Sequence, residues 1–243
     1  MQPGEIEPIL YGKKLIGTIG IMAGIPFVHK EFMWSFAQMI AYNQEFICQP
    51  NEYIHLIKPG FSEHASARNS LVDNAFGEWL FMLDCDHQFD PDILARLLRI
   101  MNKYDLPVVC GLYQFREEPH PAVLFTHGPR PEKPFELIDF NIKDFPRDKE
   151  IMQIASAGAG CLLVKTSVFE RIKAELGEKA FSHKPPFSED HSFFLRLKEL
   201  QIPVFCAPWV ECHHIHHVKL RIEDHDNSDI KYMERREVDI PIL

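Results

Sequence analysis

No stretch of this 243-residue chain holds the ~20 consecutive apolar side chains that a membrane-spanning helix needs. Its first eight residues carry Glu5 and Glu7 and lack the basic-then-apolar order of a secretory signal. Cys-x-x-Cys pairs are missing: Cys48, Cys85, Cys110, Cys161, Cys206 and Cys212 stand singly, mostly inside apolar segments. They read as reduced and mainly structural, which sets the expectation of a cytoplasmic protein. Positive charge is also short. Lys and Arg number 26 against 35 Asp and Glu, a formal net charge of −9. That weighs against a broad basic face for nucleic acid, without excluding a local basic groove. Collagen-like, low-complexity and repeated segments are absent too.

What is present is a globular composition, 46% apolar and 25% charged, long enough for one large domain. Apolar segments at 15–22, 52–57, 79–83 and 107–110 read as strands. Helical spacing at 29–40 and 65–76, and after Asp90-Pro91, reads as helices between them, with Asp90 as the N-cap of the third. The run Trp79-Leu80-Phe81-Met82-Leu83 is apolar without alternation, as in a parallel strand buried on both faces. Strand and helix therefore alternate from 15 to 111, the pattern of an open α/β sheet. Six prolines between 115 and 150 predict loops and an antiparallel hairpin instead of another strand–helix unit. Ser167 to Glu170 fits a capping box, Gly177 a helix end, Ser188 a cap for a helix through Leu200, and 203–206 a last short strand.

Four segments could carry chemistry. Asp84-Cys85-Asp86 closes a buried strand with two carboxylates, which is costly unless something positive neutralises them. In an extended segment residues i and i+2 point the same way, so the pair could share a cation. The bland alternative is one Asp capping a turn and the other in water. Ser188-Glu189-Asp190-His191 puts two acids in a helix's first turn, where they suit the dipole and where one could also act as a general base. Cys212-His213-His214-Ile215-His216-His217 is a histidine run. It could be solvated, form a structural zinc site with Cys206 and Cys212, or lend one imidazole to an Asp/Asp/His cation site. Arg68, in Ala67-Arg68-Asn69, is an ordinary surface arginine or one placed to reach a phosphate.

Taken in order, Ala67-Arg68-Asn69, the strand ending in Asp84-Cys85-Asp86, Gly111-Leu112-Tyr113-Gln114-Phe115-Arg116, Gly158-Ala159-Gly160-Cys161-Leu162-Leu163-Val164, Glu189-Asp190 and the late histidines form a pattern. It resembles the family-2-like glycosyltransferases, in particular compact phage and bacterial members, over residues 15–217. The resemblance implies a GT-A fold: a Rossmann-like open mixed sheet with helices on both faces. Residues 1–217 would form the catalytic domain, and 218–243 a charged tail serving as a lid or docking arm. It implies transfer of a sugar from a nucleotide-sugar, UDP-sugar favoured, to an acceptor hydroxyl with inversion, aided by Mn²⁺ or Mg²⁺. Arg68, Asp84, Pro26 and Gly160 would bind the donor, and Asp84, Asp86 and His214 the metal, with His213, His216 and His217 as rivals of His214. Asp190 would be the base, with Glu189 its rival. The acceptor, whether polysaccharide, protein or modified DNA base, is not legible. Two other readings are a nucleotidyltransferase, which lacks its glycine-rich, lysine-bearing segment here, and a non-catalytic sugar- or metal-binding module.

Overall fold

The structure, a computed structural model, describes residues 13–22, 28–60, 62–138, 149–183 and 185–215. The expected strand–helix alternation is there: β1 (Lys14–Met22), α1 (Lys30–Phe46), β2 (Glu52–Ile57), α2 (His64–Asp73) and β3 (Trp79–Asp84). A three-residue strand β4 (His87–Phe89) follows, then α3 (Ile93–Lys103) and β5 (Val108–Leu112). The proline-rich middle forms the antiparallel hairpin β6 (Leu124–Arg130) and β7 (Lys133–Leu137). After β8 (Met152–Ile154), β9 (Ser156–Ala157) and β10 (Cys161–Lys165) come α4 (Thr166–Arg171), α5 (Glu189–Glu199) and β11 (Val204–His214).

Eight strands make one mixed sheet in the order β2-β1-β3-β10-β5-β11-β4, with β8 paired to β11. β1 runs parallel to β2 and β3, and β5 parallel to β11, while β10 lies antiparallel between β3 and β5. Side chains alternate across this layer. Trp79, Phe81 and Leu83 pack with Phe32 and Met39 of α1 and Ile93 and Leu97 of α3. Leu80 and Met82 face the other way, onto Leu71 of α2, Phe169 of α4 and Phe193 of α5. A strand sandwiched in this way has no wet face, which is why β3 reads as a continuous apolar run. Its last residue, Asp84, is the first to leave the core, at the carboxyl end of the central strands.

Three local expectations change. Ser167 does not cap α4, which starts at Thr166 with Lys165 as N-cap and no side-chain cap bond. α3 is preceded by a turn in which the Ile93 N–H meets the Asp90 carbonyl at 3.2 Å, so its N-cap is Asp92. The last strand does not stop at Cys206. Its register on β5 is interrupted between Cys206 and Glu211, around Pro208, and the chain continues to His214 as the partner of β4. Proline usually ends a strand; here it sits at the shift that carries the strand across to β4. Gly177 does end its helix, at φ 66°, in the left-handed region.

α2 and the approach to α5 are fastened by one side chain. Asn69 donates from Nδ2 to the Phe181 carbonyl at 2.8 Å and accepts from the Phe181 N–H at Oδ1 at 3.1 Å, all in the core. Asn69→Ala leaves two buried backbone groups unpaired, so urea denaturation should show a loss of about 2–4 kcal/mol. A loss below 0.5 kcal/mol would mean water replaces the amide.

Candidate active site

Three elements converge where β3 ends. The Asp84 N–H donates to the Gly160 carbonyl at 3.0 Å and the Cys85 N–H to the Met22 carbonyl at 3.3 Å, so the strand end is pinned to β1 and to the loop before β10. Residues 85 and 86 form a turn and not a continued strand. The two aspartates therefore separate: Asp84 turns to α2, and Asp86 turns to β4 and β11.

On the Asp84 side the hub is Arg68, on α2 and only 3% exposed. Its Nη1 donates to the Ala159 carbonyl at 3.1 Å, and its Nη2 to Asp84 Oδ1 at 3.4 Å. Its Nε lies 3.0 Å from Asp190 Oδ1 and 3.5 Å from Glu189 Oε1. The Asp190 contact is an ion pair without hydrogen-bond alignment, and Oδ1 is buried with no hydrogen-bond partner among the described residues. Burial opposes the charge on Arg68, but Asp190, Asp84 and Glu189 overrule it and hold the guanidinium protonated. Ser188 caps α5 through the His191 N–H, as its sequence predicts, and so presents both acids from the first turn. The Ala159 N–H donates to Asp190 Oδ2 at 3.2 Å. Burial pushes the Asp190 carboxyl up to about 6; Arg68 resists this, while Glu189 and Asp84 add to it.

On the Asp86 side, Asp86, His87 and His214 bring one ligand atom each within 4.8 Å of one another. Asp86 Oδ1 is 4.0 Å from His87 Nδ1 and 3.9 Å from His214 Nε2. The imidazoles stack, centroids 4.3 Å apart, with Tyr113 edge-on to both. His87 is fully buried, and neither ring nitrogen has a hydrogen-bond partner among the described residues; Asp86 Oδ1 also lacks one. Burial drives His87 down to about 4 and lowers His214 as well, so both rings are neutral at pH 7. The Gln114 carbonyl takes the His214 Nδ1–H at 2.5 Å, which leaves the Nε2 lone pair facing Asp86. Unpartnered buried nitrogens, neutral imidazoles and a carboxylate fit a divalent metal ion. Arg116, from the segment after β5, meets the other oxygen of Asp86.

Of the residues expected from sequence, Arg68, Asp84, Glu189 and Asp190 meet in one cluster, and Asp86 and His214 in the next. Gly160 lies between them: a Cβ there would sit 2.6 Å from His87 Cε1 and 2.7 Å from Asp84 Oδ2. His213 is exposed, opposite Gln88 of β4. Pro26, His216, His217 and the tail lie outside the described residues. Sequence reasoning missed His87. The signal was adjacency to Asp86, concealed because strand alternation would aim i and i+1 to opposite faces. A cleft of about 510 Å³, lined by Val72, Phe169, Lys173 and Lys179 among others, includes none of these acids. Convergent chemistry, not volume, marks the site.

Overpacking a rigid contact typically costs about 1–3 kcal/mol, so Gly160→Ala should lower the thermal midpoint by several degrees. An unchanged melting curve would show that His87 and Asp84 can yield.

A family model described as glycosyl transferase family 2 matches residues 41–171, more than half of the chain. No curated protein matches it. Among solved structures, the crystal structure of A197 from STIV is similar, with a TM-score of 0.52 and 17% identity over 82% of this chain and 86% of that one. At that identity the likeness speaks for the fold alone.

Proposed function

Because the chain belongs to glycosyl transferase family 2, we propose that it is a metal-dependent, inverting glycosyltransferase acting from a nucleotide-sugar, UDP-sugar favoured, onto an acceptor hydroxyl. Family membership carries glycosyl transfer and, with the eight-stranded mixed sheet, the GT-A fold. No helix among the described residues is long and apolar enough to cross a membrane. The observation that carries the finer reading is the adjacency of two unlike clusters at one sheet end: a base-like carboxylate held by Arg68, and an Asp–His–His group.

Asp86, His87 and His214 would hold the cation, and their two imidazoles favour Mn²⁺ over Mg²⁺. When bound, the ion supplies charge neutralisation to the departing nucleoside diphosphate. Asp84, fixed by Arg68 and beside Gly160, faces the donor, so Arg68 serves the donor through Asp84 and not as a free phosphate ligand. Asp190 accepts the proton of the acceptor hydroxyl as its oxygen attacks the anomeric carbon and the diphosphate leaves from the opposite face. Its carboxyl, raised to about 6, is ionised at neutral pH yet basic enough to take a proton. Arg68 orients it, and the neighbouring negative charge of Glu189 raises its proton affinity.

Incubating the purified protein with several nucleotide-sugars and Mn²⁺, and assaying released nucleoside diphosphate, tests the activity. Release from none of them would favour a binding module. Asp86→Ala should abolish Mn²⁺ binding while the far-ultraviolet circular dichroism is kept. Asp190→Asn should slow turnover by about 10²–10⁴-fold with little change in donor affinity, whereas Glu189→Gln should be milder. A raised carboxyl must lose its proton to work, so kcat/KM should fall about tenfold per pH unit below pH ~6 and level off above it. Full activity at pH 4.5 would remove Asp190 as the base.

A further inference from the structure

Asp86 has two suitors. Its Oδ1 is the anionic corner of the Asp86–His87–His214 group, while its Oδ2 meets the Arg116 guanidinium in an ion pair. The two cannot be served equally. A guanidinium on a carboxylate takes up its lone pairs and places a positive charge where a dication would have to sit.

The elements around this contact differ in freedom. Asp86 is anchored: its carbonyl accepts from the Ile215 N–H at 2.8 Å, and its side chain is 19% exposed. Arg116 is 42% exposed and rides on a loop closed at its base. There Gln114 bridges Ala122, the Val123 N–H donates to the Tyr113 carbonyl at 2.9 Å, and the Phe115 N–H donates to the Pro121 carbonyl at 2.9 Å. The loop base also holds the Gln114 carbonyl that orients His214. The segment that aligns a metal-facing imidazole thus also delivers a long, exposed cation to the same carboxylate.

We propose that Arg116 is a displaceable counter-ion of Asp86: a divalent cation takes its place on the carboxylate, and the freed guanidinium turns to the diphosphate of the donor. The proposal rests on the reading of Asp86 as a metal-holding carboxylate. Arginine suits the second task, because its planar fork matches two phosphate oxygens. In the first task it neutralises Asp86, for which it is the only lysine or arginine within ion-pair distance among the described residues.

The two tasks predict opposite effects of one substitution. Mn²⁺ binding to the full chain is followed by the electron paramagnetic resonance of free Mn²⁺, without nucleotide. Nucleotide binding is followed by calorimetry at saturating Mn²⁺, with whichever of UDP, GDP and ADP binds the wild type most tightly. Arg116→Ala should bind Mn²⁺ about tenfold more tightly and the nucleotide about tenfold more weakly, each the scale of one charge-assisted contact. Arg116→Lys, which keeps the charge, should stay near wild type in the Mn²⁺ titration. If Asp86→Ala loses Mn²⁺ but Arg116→Ala leaves its affinity unchanged or weakened, the counter-ion role is overturned while the metal reading stands. Unchanged nucleotide affinity in Arg116→Ala overturns the second task. If wild type and Arg116→Ala both fail to bind Mn²⁺, the metal reading fails and the proposal with it.

Discussion

The site depends on one buried guanidinium. Arg68 stands on α2 beneath the carboxyl end of the sheet and answers three acids, Asp84 from β3 and Glu189 and Asp190 from α5. Without it, the end of the central strand and the start of α5 could not lie together, because ionised carboxylates removed from water repel one another. Removing one partner of such a buried pairing typically costs about 3–5 kcal/mol. The charge on Arg68 therefore fixes where α5 begins relative to β3, and with it the direction in which Asp190 points.

The same interaction divides the aspartates of Asp84-Cys85-Asp86. Arg68 draws Asp84 toward α2, and the turn at 85–86 releases Asp86 to the opposite side. There the partners are two imidazoles kept neutral by burial and a tyrosine edge. Tyr113 also ties the halves together, since its hydroxyl accepts the Gly160 N–H at 3.1 Å. The lack of a side chain at Gly160 lets Asp84 and His87 approach one backbone. The site thus sets a carboxyl pushed up to about 6 by burial beside neutral imidazole nitrogens.

Much of this was legible in the chain. The apolar run ending at Leu83 located the central strand and the carboxylates at its end, and Ser188 correctly marked the start of α5. Prolines between 115 and 150 correctly forecast a hairpin. What was hidden was side-chain direction. Treating 84–86 as extended implied that both aspartates share a face, but the turn cancels that and brings His87 in. Arg68 reads as a surface arginine or one placed to reach a phosphate, and nothing local announces that Glu189 and Asp190 lie against it from a helix more than 100 residues away. The extent of β11 was masked by Pro208, which reads as a stop but sits at a register shift. The partners of Arg68 and the extent of β11 are long-range pairings that override a local rule.

The account stands on the division of labour around Arg68: a cation on Asp86, His87 and His214, and Asp84 kept for the donor. A crystal soaked with Mn²⁺ and a nucleoside diphosphate, with diffraction recorded on both sides of the manganese edge, observes this directly. The account predicts an anomalous peak bonded to Asp86 Oδ1 and to one nitrogen each of His87 and His214, with the Arg68–Asp84 pair intact. A peak bridging Asp84 and Asp190 with Arg68 displaced, or no peak near Asp86, would contradict it.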